Sequence, residues 1–216
     1  IWRIDAYADF YKFPWLKFQV DAPSTGADYL IQATYKPNKQ LELYLRYRTE
    51  TKYGNYNPFE STLRPVVPRS RQNMRTQISY KVTPTFTMRQ RVEIIWFDKR
   101  GPQASNGYLS YVDMIYKPMM KKYSGNIRLQ YFETDDYNSR LYAYENDVLY
   151  SFSIPVFYET GFRYYVNVNY DFSKKLSAWL RVAQTVSKGK TTVGSGLDEI
   201  NGNRKTEVKL QLQYLF

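Results

Sequence analysis

Residues Val208–Phe216 read VKLQLQYLF, with an apolar side chain at every second position and an aromatic as the last residue. Alternation with a period of two marks a strand with two unlike faces, because successive side chains of an extended chain point to opposite sides. In a water-soluble protein the last residues usually fray, and an apolar side chain there gains little. In a membrane barrel, Tyr214 and Phe216 would lie on the lipid-facing side of the closing strand, and such an aromatic ending resembles the signal read by the barrel-assembly machinery.

The same alternation recurs along the chain, at Trp2–Tyr11, Asp28–Lys36, Leu41–Glu50, Arg71–Val82, Phe86–Phe97, Tyr108–Lys117, Asn126–Glu133, Phe162–Phe172 and Leu176–Val186, with Thr206–Phe216 as the tenth strand. In Leu41–Glu50, Leu41, Leu43, Leu45 and Tyr47 oppose Glu42, Tyr44, Arg46 and Arg48. Alternation alone suits a soluble β-sandwich as well as a barrel; the connections separate them. Pro37-Asn38-Lys39-Gln40, Thr83-Pro84-Thr85 and Ser173-Lys174-Lys175 are short, whereas KYGNYNPFESTLRPVVPRS, KRGPQASNG and KGKTTVGSGLDEINGN are long. Short links at one end and long ones at the other are the outer-membrane pattern, with turns facing the periplasm and loops facing outside.

Outward aromatics agree. Trp2, Tyr35, Tyr80, Phe86, Tyr116, Tyr170, Phe172, Tyr214 and Phe216 fall at the short-turn ends, and Phe10, Tyr29, Tyr47, Trp96, Tyr131 and Phe162 near the other ends. Two aromatic girdles around an aliphatic band are what two lipid-water interfaces select. The expected fold is an all-β, antiparallel up-and-down transmembrane β-barrel of about ten strands spanning residues 1–216, either closed or part of a larger barrel. Residues 135–161 break the strand count: one crossing there would reverse every later strand, and 22 residues at Arg140–Gly161 are too few for two. They are predicted to form an external excursion, a hairpin rising above the membrane or folding into the lumen.

Composition narrows the classes. The 216 residues include 23 Tyr, 12 Phe and 4 Trp, at a mean hydropathy of −0.61, and no apolar run approaches the ~18–20 residues of a spanning helix. Disorder is unexpected in so aromatic a chain. There is no Cys, which removes disulfides and thiolate metal sites, and no His, which removes the common nucleophile dyads and most zinc ligand sets. Ile1 already sits in an alternating pattern, so an internal start is expected.

The charge is +11, from 31 Lys and Arg against 20 Asp and Glu. Many cations are inward by parity, which argues against nucleic-acid binding, while Lys52, Arg64, Arg69, Lys99, Arg100, Lys188 and Lys190 in the loops suit anionic lipopolysaccharide. Among the inward charges, Arg46, Arg48, Arg89, Arg91 and Arg181 are candidates for a basic, anion-selecting constriction. The preferred reading is that inward charges pair across neighbouring strands, because an unpaired buried charge is costly.

Two acidic groups, Asp135, Asp136, Glu145 and Asp147, and Asp198 with Glu199 among glycines, are expected to lie in external loops that are solvated or contact a partner. Neither follows the spacing of a calcium loop. Asp135 and Asp136 are adjacent, so on a strand they point apart and make a poor acid-base pair. Neither catalysis nor a cofactor or metal is expected.

The stretches LYAYENDVLYSFSIPVFY from Leu141, FRYYVNVNY from Phe162 and GSGLDEINGNRKTEVKLQLQYLF from Gly194 resemble the C-terminal region of large outer-membrane proteins of Bacteroidota labelled by an N-terminal helix-hairpin-helix segment. A weaker likeness runs through FPWLKFQVDAPSTGADYLIQ. The resemblance implies a barrel that is part of a longer protein in the outer membrane of a Gram-negative bacterium, with no helix-hairpin-helix in these residues and no assigned activity. With ten crossings, both ends of the chain are expected in the periplasm. The expected role is a structural or scaffold component of an envelope complex, contacting other outer-membrane or periplasmic proteins. A basic pore or transporter and a soluble β-sandwich binding module are the alternatives.

Overall fold

The computed structural model describes residues 1–56 and 64–216; part of the long link after the third strand, residues 57–63, lies outside the described residues. The chain forms β1 (Trp2–Phe13), β2 (Ser24–Tyr35), β3 (Leu41–Asn55), β4 (Val66–Lys81), β5 (Phe86–Phe97), β6 (Ser105–Tyr116) and β7 (Tyr123–Thr134). A 3-10 turn (Tyr137–Ser139) leads to the two-residue β8 (Leu141–Tyr142) and β9 (Val156–Phe157). Then come β10 (Thr160–Asp171), β11 (Leu176–Ser187), the short β12 (Thr192–Val193) and β13 (Ile200–Asn201), and β14 (Arg204–Tyr214). Ten of these make one antiparallel up-and-down sheet in the order β1-β2-β3-β4-β5-β6-β7-β10-β11-β14, while β8-β9 and β12-β13 are separate ribbons.

The expected strands are present with extended bounds. β1 runs on to Phe13, and β3 and β4 reach Asn55 and Val66, where Gly54 pairs with Val67 and Tyr53 with Pro68. Gly, Asn and Pro there read as loop residues, but a hairpin that outruns its neighbours presents them as edge positions, where they are tolerated. β3 and β4 have 15 and 16 residues against 12 in β2 and β5, so this hairpin overhangs the sheet. At the other end β14 stops at Tyr214, so Phe216 lies past the strand rather than closing it, although the Leu215 N–H still donates to Lys175 O at 2.8 Å.

Each short turn is built from local chemistry. Asn38 Oδ1 accepts from the N–H groups of Gln40 and Leu41, both at 2.9 Å. Thr83 Oγ1 accepts from Thr85 and Phe86 N–H at 3.3 and 3.0 Å, and Ser173 Oγ from Lys175 and Leu176 N–H at 3.2 and 3.1 Å. A small polar residue two or three positions before the strand thus satisfies the N–H groups that the reversal would strand.

The two faces differ as the alternation requires. The outer face carries cross-strand aromatic pairs at both ends: Trp2 with Tyr35 at 4.7 Å and Tyr116 stacked on Tyr123 at 5.7 Å on the short-turn side, Phe10 with Tyr29 at 5.5 Å and Tyr131 with Phe162 at 5.0 Å on the long-link side. Aliphatic side chains fill the space between, and they are uncovered: Ile4 is 68% exposed and Leu210 69%. A sandwich would cover this face with a second sheet of comparable size, and beyond the ten-stranded sheet the described residues form only two-stranded ribbons.

The inner face bears most of the charges, with one departure. Ile95, Leu109, Tyr111 and Phe132 point inward near the long-link end and pack with Leu141, Ala143 and Phe157 of the 135–159 link into the apolar core. The link therefore lies against the inner face, and Gly107 permits its approach, since a Cβ there would run into the Ser139 carbonyl oxygen and Leu141 Cδ1. Closure of the sheet, one form of the sequence expectation, is not found. β1 and β14 pair with β2 and β11 only, and each leaves its other edge free.

Truncating Leu109, which is fully buried in this core, should destabilise the fold by about 2–5 kcal/mol through lost burial and an unfilled cavity. Denaturant unfolding of Leu109→Ala in detergent, compared with the outward-facing Val112→Ala, measures it; a loss no larger than that of Val112→Ala would show that the link does not pack here.

Candidate functional site

The link from β7 to β10 opens with two aspartates doing separate work. Asp135 accepts from the N–H and Nδ2 of Asn106 at 2.8 and 3.0 Å, tying the link to β6. Asp136 caps the 3-10 turn, its Oδ1 accepting from the Asn138 N–H at 2.7 Å, the Ser139 N–H at 3.4 Å and Ser105 Oγ at 2.7 Å. Burial works against the charge on Asp136, but these hydrogen bonds outweigh it and hold the carboxyl below its ordinary value.

Beyond the turn, β8 and β9 pair, and a bridge between Glu145 and Ser153 continues the hairpin. Its tip descends along the inner face. Arg128 chelates Asp113 at 2.6 and 2.8 Å and donates through Nη1 to the Tyr144 carbonyl at 2.7 Å. Arg163 grips Glu145 with two hydrogen bonds at 2.7 and 2.9 Å, and Arg181 donates to the same carboxylate from the next strand. Asp147 accepts from Lys209 Nζ at 2.6 Å and lies 3.8 Å from Arg181. Glu207 completes the group, 3.3 Å from Arg163 and 3.7 Å from Arg181. Four cations thus meet four carboxylates. Tyr165 sits among them, its hydroxyl accepting from Asn126 Nδ2 at 3.1 Å and the Asn146 N–H at 3.2 Å, its ring under the guanidiniums of Arg128 and Arg181.

This arrangement corrects one expectation. Glu145 and Asp147, predicted on a loop open to a partner, have buried side chains, both 0% exposed, with their carboxylates turned into the basic inner face. The reason is electrostatic: β10, β11 and β14 project Arg163, Arg181 and Lys209 from one face, and buried cations need counter-charge within hydrogen-bond reach. Asp198 and Glu199, in the link between β11 and β14, are exposed.

The five arginines expected at a constriction do not act alike. Arg181 is consumed by Glu145. Arg48 is chelated by Asp28 on β2, at 2.9 and 2.5 Å. Arg89 lies 3.9 Å from Asp113, which Arg128 already holds, and Arg91 shares Gln77 Oε1 at 3.0 and 2.8 Å. Arg46 is half-buried, and among the described residues it has no carboxylate partner and its Nε no hydrogen-bond partner. Between β3, β4 and the base of the hairpin, the described residues leave two neighbouring chambers of about 310 and 880 Å³ that are both lined by Glu50 and Arg71.

Sequence reasoning missed Asp113, Arg128, Arg163, Tyr165 and Glu207 as parts of one site, although their parity placed them inward. The usable signal was Leu109 and Tyr111 on β6 beside Phe132 on β7, on a face otherwise polar, a local apolar patch that something had to cover. Compared with known proteins, the chain matches no family model and no curated protein.

Glu145→Gln removes the charge between two buried arginines and should cost about 3–5 kcal/mol in the docking of the hairpin. Amide exchange across Leu141–Phe157 should rise strongly, and less so in Asp147→Asn, whose partner Lys209 is partly exposed; equal protection in parent and Glu145→Gln would show that the ion pairs do not hold the hairpin. Asp136→Ala should lower stability by about 0.5–2 kcal/mol at neutral pH. Because the folded carboxyl titrates below its unfolded value of about 3.9, that contribution is complete above the unfolded value and vanishes as pH falls through the folded one. Urea midpoints of Asp136→Ala and parent should therefore converge in acid.

Proposed function

We propose that this chain is an integral outer-membrane β-barrel wall with a structural role in a larger envelope complex, its interior stoppered by the Asp135–Gly161 hairpin. The observation that carries the reading is the Glu145 carboxylate held between Arg163 and Arg181. A conducting pore has no use for a hairpin whose charges neutralise its lumen, whereas a scaffold gains from an interior filled with matched charges.

The membrane part of the reading rests on the outer face. An uncovered apolar surface across ten strands exceeds by far the patches that soluble monomers expose, and such a surface marks contact with lipid or protein. From Trp2 to Phe10 the two aromatic girdles lie roughly 27 Å apart along the strand, and at a tilt of about 40° this covers roughly 20 Å of bilayer thickness, near the usual apolar band. Backbone edges cannot stand open in lipid, so in the membrane β1 and β14 pair with each other or with further strands of the assembly. The short turns then face the periplasm, as do both ends of this chain, and the overhanging β3–β4 hairpin, the basic loops and Asp198 with Glu199 face lipopolysaccharide and partners outside. Insertion would engage the barrel-assembly machinery through the Tyr214–Phe216 ending. The resemblance to outer-membrane proteins of Bacteroidota points to the same compartment.

A second reading, a pore with a basic and anion-preferring lumen, draws on the open chambers beside β3 and β4, where Arg46 has no carboxylate partner among the described residues.

Envelope fractionation and planar-bilayer recording test the choice. The full chain should leave the envelope only with detergent and remain electrically silent, while Glu145→Gln combined with Asp147→Asn should show fluctuating conductance as the hairpin undocks. Steady anion-selective conductance in the parent would instead make the protein a pore, and release without detergent would remove both readings.

A further inference from the structure

The inner face treats its cations in two ways. Where the hairpin tip descends, Arg128, Arg163 and Arg181 each meet a carboxylate. On the β3–β4 wall, beyond the tip, like charges stand directly opposite each other: Arg46 faces Arg75, and Lys52 faces Arg69. Such cross-strand pairs are destabilising, and internal carboxylates relieve only half of them. Glu93 takes Arg75 at 2.6 and 2.8 Å, and Glu50 takes Lys52 at 2.6 Å. Arg46, Arg69, Arg71 and Arg140 have no carboxylate within ion-pair distance among the described residues.

These four guanidiniums line two neighbouring pockets that have Glu50 and Arg71 in common. Arg46 lies in the lower chamber, Arg69 and Arg140 line the upper, and Arg71 lines both. Three are aimed by backbone carbonyls: Arg71 Nη2 donates to Arg140 O at 2.6 Å, Arg69 Nη2 to Asn55 O at 2.5 Å, and Arg140 Nη1 to Tyr137 O at 2.8 Å. A carbonyl fixes one N–H of the five and leaves the charge whole. Buried Nε atoms of Arg46 and Arg69 have no hydrogen-bond partner among the described residues, a cost that an acceptor from outside would remove.

We propose that this cleft is a binding site for a soluble, multiply charged, phosphate-bearing solute, with Arg46 and Arg71 in direct contact and Arg69 and Arg140 at the rim. Guanidinium forks match phosphate oxygens two at a time, and the lower chamber, about 310 Å³, suits a phosphate with a small attached group. A lipid headgroup is the other source of phosphate, but under the function proposed above lipid covers the outer face, and the cleft opens on the inner one. The choice of a soluble solute rests on that reading, whereas the cluster of guanidiniums is a property of the sheet and hairpin and stands without it.

The test uses the full chain in non-ionic detergent, with inorganic pyrophosphate as probe at low and moderate salt. Pyrophosphate should bind saturably, raise the unfolding midpoint, and bind more weakly as salt rises. Arg46→Gln with Arg71→Gln should weaken binding by about tenfold or more. Without ligand, Arg46→Gln should not lower the midpoint, because the repulsion from Arg75 is relieved; this separates loss of a site from loss of structure. Lys117→Gln, on a short turn away from the cleft, should bind as the parent does. Absence of binding in the parent, or equal weakening by Lys117→Gln, would overturn the site. Binding of phosphate only when it is displayed on lipopolysaccharide-containing vesicles would overturn the assignment to a soluble solute.

Discussion

The whole interior is organised by the need to neutralise guanidinium groups that the strands place on one face. β7, β10 and β11 each bring an arginine to mid-strand on the inner side, at Arg128, Arg163 and Arg181, all nearly or fully buried. Neighbouring strands supply Asp113 and Glu207, which is too little for three arginines and Lys209. The deficit is made good from a distance by Glu145 and Asp147. A hairpin that might have stood in solvent is thereby drawn onto the sheet, and its apolar side chains then complete a core with Leu109 and Phe132. Charge and apolar burial cooperate: the ion pairs set how deep the tip goes, and the apolar cluster fixes the base.

The same sheet shows what happens without that supply. Along β3 and β4 no acidic segment descends among the described residues, and Arg46 faces Arg75 across the ladder. The contrast lies within one continuous sheet of one strand geometry, and it follows the side-chain chemistry of each half. Opposite both halves runs an apolar surface that needs covering by something other than this chain.

Much of this was legible in the sequence. Period-two alternation located all ten long strands, since a half-buried strand with apolar and charged faces leaves no other regular reading. The small polar residues at Asn38, Thr83 and Ser173 marked the tight turns. Strand parity showed that residues 135–161 had to leave the ladder. Their destination was not legible, because Glu145 and Asp147 resemble any solvated acidic pair until the arginines from strands far apart in sequence are brought beneath them. Nor could alternation reveal that β1 and β14 do not pair with each other, since the pattern of side chains says which face is apolar and nothing about what an edge meets. The inward Leu109, Tyr111 and Phe132 were the one sequence signal of a covered inner face, and they were easily passed over because tyrosine and leucine are also common on the outer one.

The link that forms the hairpin is the longest in the chain, and it joins two strands, β7 and β10, that are direct neighbours in the sheet. This has a consequence for the order of folding. Four neighbouring pairs are joined by tight turns and can zip from local nuclei, but the β7–β10 ladder must close a long loop first, at an entropic cost that rises with loop length. Its formation and the docking of Glu145 on Arg163 are then coupled, because Arg163 belongs to β10 itself. The chain is thus kinetically two meanders, one ending at β7 and one beginning at β10, and the seam between them sets only when the acidic tip has found its arginines.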